Sequence, residues 1–249
     1  MNKASALIAV IALFFAGLVW ANTAVVTAAS GTASVQTGNG PARTLRVGDQ
    51  VRQGDTLFTA RASSVVLKFD DGQIAALTAN SRMTITAYRY EPSSGSGSVL
   101  LSLVTGGMRA ITGLIGRRSP ENVAYRAATA TIGIRGTDVT IATDGGNVVV
   151  TVTEGAVSFT FNGRTIEIQA GEGVNARLDG TFQRGAADEI LARISPELAS
   201  AIGGIRGLDN AIRDAATLTS AGDGRANLTP SGPTNGVSSG GGGTTASGS

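Results

Sequence analysis

Ala130-Thr131-Ile132-Gly133-Ile134-Arg135-Gly136-Thr137-Asp138-Val139-Thr140-Ile141 reads as two strand-like segments with glycines on either side of a lone arginine. Gly133 and Gly136 call for a tight backbone turn or the close approach of another strand, because a side chain there would cost conformational or steric energy. Arg135 carries a planar fork of five donors, suited to backbone carbonyls or a carboxylate such as Asp138. Thr137 and Asp138 are residues whose side chains bond nearby backbone at turns. The stretch describes a well-made β corner.

Outward from it, the hydrophobic period is two. Downstream, residues 148–153 form a strand that Glu154-Gly155 turns, and Val157, Phe159 and Phe161 share one face of the next. Asn162-Gly163 is a strong two-residue hairpin signal, answered by Ile166 and Ile168 on one face of the returning strand. Upstream, residues 32–36 and 64–69 read as strands, and Asp70-Asp71-Gly72 as a hairpin turn. Two adjacent carboxylates without regularly spaced oxygen partners do not make a calcium loop. Residues 91–98 read as a flexible loop, residues 99–104 as a buried strand ending at Gly106-Gly107, and residues 119–122 as a second loop. Many short strands must share a core, so the expected fold is all-β: a solenoid-like or twisted sandwich stack, with short C-terminal helices and a disordered tail.

Composition narrows the chemistry. Among 249 residues there are 35 glycines, 4% aromatics and 15% charged residues, with a net charge of +2. Only Arg117-Arg118 approaches a basic cluster, which speaks against nucleic-acid binding. Cysteine and histidine are absent. That removes disulfides, thiolate nucleophiles, and the commonest general base and metal ligand. Neither glycine-rich stretch carries a phosphate-binding pattern. No catalytic, cofactor-binding or metal-ligating residue is nominated, and the expectation is a protein that is not an enzyme.

The central stretch resembles the hallmark of the FecR-domain family, all-β modules of bacterial cell envelopes. The likeness extends through Gly48-Asp49, Gly54-Asp55-Thr56-Leu57, Asp70-Asp71-Gly72 and Gly106-Gly107-Met108-Arg109. Downstream it takes in Gly155-Ala156-Val157 and Ala170-Gly171-Glu172-Gly173, covering roughly residues 31–180. Where the family commonly has Thr-Pro, this chain has Ala127-Ala128. The resemblance implies an exported domain and marks Gly133, Arg135, Gly136, Thr137 and Asp138 as motif residues, structural or binding. FecR-family regulators sense transport receptors outside the inner membrane and control a sigma factor inside it. With only Met1-Asn2-Lys3 before the apolar run, this chain is expected to lack the cytoplasmic segment.

The ends complete the organisation. Residues 1–21 have the charged start, apolar run and small-residue site of a signal peptide, with cleavage after Ala21; an uncleaved membrane anchor is the alternative. A FecR-like β domain is expected over 22–184, a short helical segment over 185–219 that caps an open β edge, and a disordered Gly/Ser/Thr-rich tail over 220–249. The functional expectation is a periplasmic or secreted non-catalytic module, signalling or binding an envelope protein or glycan. The alternative is a structural or adhesive surface protein.

Overall fold

A computed structural model describes residues 23–218; the expected signal peptide and the whole of the expected tail lie outside them. The strands are β1 (Thr23–Ser30), β2 (Ala33–Thr37), β3 (Arg43–Thr44), β4 (Gln50–Arg52), β5 (Asp55–Thr59), β6 (Ser64–Phe69), β7 (Ile74–Leu77) and β8 (Arg82–Glu91). They continue as β9 (Ser96–Ile111), β10 (Val123–Ala127), β11 (Ala130–Thr143), β12 (Val148–Phe161), β13 (Arg164–Gln169), β14 (Glu172–Ala176) and β15 (Phe182–Ala186). A short helix α1 (Leu114–Arg118) and a 3-10 turn (Pro120–Asn122) precede β10, and α2 (Ala187–Leu191), α3 (Pro196–Arg206) and α4 (Asp209–Thr217) follow β15.

The fold is all-β with few short helices, one hydrogen-bonded sheet folded over on its own core. Three long strands make the fold by changing partners along their length. β9 pairs with β8 and β10 over its first part, then with β7 and β11 from Gly106 onward. β11 pairs with β10 before Arg135 and with β9 after it. β12 pairs with β14 at its start and β13 at its end. One layer therefore contains β4, β1, β6, β7, β14 and β15, the other β3, β2, β5, β8, β10 and β13, and the long strands serve both. Of the two arrangements expected from sequence, the sandwich-like one is found.

Alternation assigns the faces. Leu67, Leu77, Met108, Ile141 and Val150 of the first layer meet Leu57, Ile85, Leu101, Tyr125 and Phe159 of the second in one core. The outward residues of the first layer are apolar too, and the helices cover them. Ala142 and Val149 pack with Ile190, Leu198 and Ile202, while Val66, Ile74 and Ala76 pack with Ile212 and Ala215. Ser195 caps α3, its hydroxyl accepting from the Leu198 amide at 3.4 Å, and Pro196 supplies the first-turn φ. α3 and α4 thus lie over a sheet face, α3 against β9 and β11 and α4 against β1, β6 and β7, and do not cap an edge as expected; only α2 packs at the end of the sheet, on β14 and β15.

Three local expectations are corrected. The loop at 91–98 is a tight turn, because β8 and β9 stay paired through Glu91 and Ser96. Gly106-Gly107 does not end a strand, and Glu154-Gly155 does not turn one: β9 and β12 run through both. A glycine at positive φ serves a bulge as well as a turn, so local sequence does not separate the two. The second loop, at 119–122, contains the 3-10 turn.

Candidate functional site

The motif strand β11 divides at a bulge. Its register on β12 runs Arg135 opposite Ala156, then Asp138 opposite Glu154, leaving Gly136 and Thr137 outside the ladder. Gly136 sits at φ +60°, and the facing Gly155 at φ +75°. The bulge sends the two halves of the motif to different layers.

On the inward side of the bend, Thr137 is buried and locked to Thr112. The Thr137 amide donates to Thr112 Oγ1 at 2.8 Å, and the Thr112 amide donates to the Thr137 carbonyl at 2.9 Å. Asp138, 6% exposed, faces the helical layer. Its carboxylate accepts a bidentate pair from Arg109, Nε to Oδ1 at 2.8 Å and Nη2 to Oδ2 at 2.6 Å. The remaining arm of Arg109 donates to Asp209 at the start of α4. Hydrogen bonding to Asp138 raises the guanidinium's pKa above its ordinary value, so Arg109 stays charged in its half-buried position.

Arg135 and Gly133 lie on the opposite, open face. Arg135 is exposed, and among the described residues its guanidinium has no hydrogen-bond or ion-pair partner. The carboxylate offered to it by sequence is held instead by Arg109, twenty-six positions nearer the N-terminus than Arg135. Gly133 leaves the space in which a Cβ would lie 2.5 Å from Ser158 Oγ. The five motif residues therefore separate: Thr137 and Asp138 join a buried network, Gly136 makes the bulge, and Gly133 and Arg135 face out. Arg135→Ala is expected to change stability by no more than about 0.5 kcal/mol, and a urea midpoint lowered well beyond that would show a partner for the guanidinium.

Sequence reasoning missed the face to which Arg135 belongs. Cross-strand register builds a row over eight strands, beginning Gln36, Thr56, Thr84 and Ser102. It continues through Arg126, Thr131, Thr160 and Thr165. Every member is a hydroxyl or amide save one arginine, and none is buried. Thr56 and Thr84 hydroxyls lie 3.0 Å apart, and those of Thr160 and Thr165 2.8 Å apart. Arg82, Arg89 and Arg135 share the face, against Glu91 and Glu167. The signal was there in strand parity, but pairing partners were needed to assemble it.

A second buried polar group sits under α1. Asp71, 1% exposed, accepts from the amides of Gln73 at 3.2 Å and Ile115 at 3.4 Å, and from the Tyr88 hydroxyl at 3.4 Å. The turn Asp70-Asp71-Gly72 joins β6 to β7, and Asp71 ties that turn to the helix. Burial raises the Asp71 pKa above 3.8. The native state therefore takes up a proton before the unfolded chain does, so as pH falls from the folded pKa toward 3.8 this group opposes acid unfolding. A carbon-detected NMR titration should place Asp71 above the ordinary aspartate range; a value below it would refute the desolvation. Among the described residues no three acidic side chains converge as a metal site, and no helix is long and apolar enough to cross a membrane.

The folded-over sheet, with helices on one side and a polar face on the other, is a scaffold of the kind that presents a surface rather than a cleft. Residues 55–158, under half of the chain, match the family model described as FecR protein, so this part of the chain is a FecR-type domain. The match spans β5 to most of β12 and contains the whole motif strand. Two crystal structures of a candidate anti-sigma factor from Parabacteroides distasonis are similar at 15% identity, with TM-scores of 0.42 and 0.43. Each covers 55% of this chain, which spans 63% and 62% of theirs. A structure described as a cell surface anchoring domain aligns at 31% identity over 24% of this chain and 80% of its own, with a TM-score of 0.24. No curated protein matches the chain.

Proposed function

We propose that this chain is an exported, non-catalytic signalling module of the bacterial envelope that acts by binding another envelope component, a protein or a glycan. The observation that carries the reading is the FecR domain over residues 55–158. The unequal treatment of the two sheet faces agrees with it: one is sealed by helices, the other left polar. A binding scaffold keeps one rigid face free, and a sheet braced from behind supplies it. Export follows from the layout of residues 1–21, which gives a periplasmic or secreted protein, held at the membrane only if that segment is uncleaved.

The test has two parts. N-terminal sequencing of protein recovered from cell fractions should begin at Asn22 in a soluble exported fraction. Deleting the gene should change a discrete set of transcripts, restored by the full chain supplied in trans. Protein confined to the cytoplasm, or a transcript profile untouched by deletion, would each overturn the reading.

A further inference from the structure

Resting on that reading as a binding module, we propose that the open face takes a linear acidic polysaccharide, its carboxylates held by Arg126 and Arg135 and its hydroxyls by the polar row. Four exposed arginines share this face with two glutamates, so its charge is complementary to an anionic partner. Arg126 lies within the row, directly across from Thr131, and Arg135 is four residues along the same strand from Thr131 on the same face. Among the described residues neither guanidinium has a partner, so both forks are free for bidentate carboxylate recognition.

The polar character selects the class of polymer. Serine and threonine hydroxyls both donate and accept, as the hydroxyls of a sugar do, so a row of them matches a polyhydroxylated chain without fixing its direction. Eight strands at about 4.8 Å spacing make a track on the order of 34 Å long, the reach of an extended oligosaccharide rather than a monosaccharide. A protein partner would be expected to meet a central aromatic or aliphatic anchor site. Here the row itself contains none. Single-stranded nucleic acid would be met by stacked aromatic rings, and the half-buried Phe58 is engaged by Arg82, whose guanidinium lies 5.3 Å from its centroid.

The experiment uses the full chain purified from the cell envelope and immobilised through its C-terminus. Its probes are a polyuronate oligosaccharide, a neutral β-glucan of equal length and single-stranded DNA of equal charge. The expected result is polyuronate binding that weakens with added salt, exceeds binding of the neutral glucan, and falls about tenfold or more in the Arg126→Gln/Arg135→Gln double variant. Thr131→Val should weaken it a few-fold, and circular dichroism should show both variants folded. Equal binding of the neutral glucan, tighter binding of DNA, or an unchanged affinity in the folded double variant would each overturn the assignment. So would absence of binding to every probe. None of those outcomes touches the transcript and export tests, so the two readings fail separately.

Discussion

Arg109→Ala is expected to lower the unfolding free energy by about 3 kcal/mol or somewhat more, the cost of leaving a buried carboxylate without its partner. The side chains of Arg109 and Asp138 are 17% and 9% exposed, so water does little to replace the lost fork. Asp138 cannot turn to another cation on the same ladder, because its cross-strand neighbours are Ile111 and Glu154. Asp209 contributes much less: its side chain is 44% exposed, and Asp209→Asn should cost under about 1 kcal/mol. Arg109→Lys keeps the charge without the planar fork and should recover only part of the loss. Because the same guanidinium reaches the start of α4, Arg109→Ala should also raise hydrogen exchange in residues 209–217 before the sheet opens. Urea unfolding with amide exchange measures both. An unchanged midpoint would mean that Asp138 is hydrated and the network ornamental.

The network shows where the sequence stops being legible. Val157, Phe159 and Phe161 were placed on one face by alternation, and all three are core; Asn162-Gly163 was read as a two-residue hairpin, and Phe161 pairs with Arg164 across it. Those inferences needed only neighbours within a few residues. Arg109 and Asp138 are twenty-nine positions apart, and their meeting depends on β9 pairing with β11 in its second half but β10 in its first. No local pattern encodes a strand that changes partners. Arg135 drew attention because glycines flank it, yet alternation alone separates it from Asp138 once the bulge at Gly136 is counted. The three C-terminal helices fall within the segment 185–219 read as helical. Their place over the sheet followed from something else, the apolar outward residues Val66, Ile74, Ala142 and Val149 that an uncovered layer would not tolerate.

Gly155→Ala should be among the most disruptive single-methyl changes in the domain, and Gly136→Ala is its internal control. Both glycines hold positive φ, +75° and +60°, which costs a residue with a Cβ about 1–2 kcal/mol. The surroundings differ. A Cβ on Gly136 would meet no heavy atom within 4 Å, whereas one on Gly155 would lie 2.3 Å from the Gly136 carbonyl oxygen and 2.9 Å from that of Arg135. Those are backbone atoms of the facing strand, so no rotamer change relieves the contact. β11 and β12 must separate where they pass between layers, adding an overpacking cost of about 1–3 kcal/mol. Gly136→Asn should be milder than Gly136→Ala, since asparagine tolerates the left-handed region. The Gly155 variant should lose roughly twice as much stability as the Gly136 variant in urea, and its Thr137–Thr112 amides should exchange faster. Equal midpoints for Gly155→Ala and Gly136→Ala would show that the strands do not approach so closely at the bulge, and that the conformational cost alone sets the identity of both glycines.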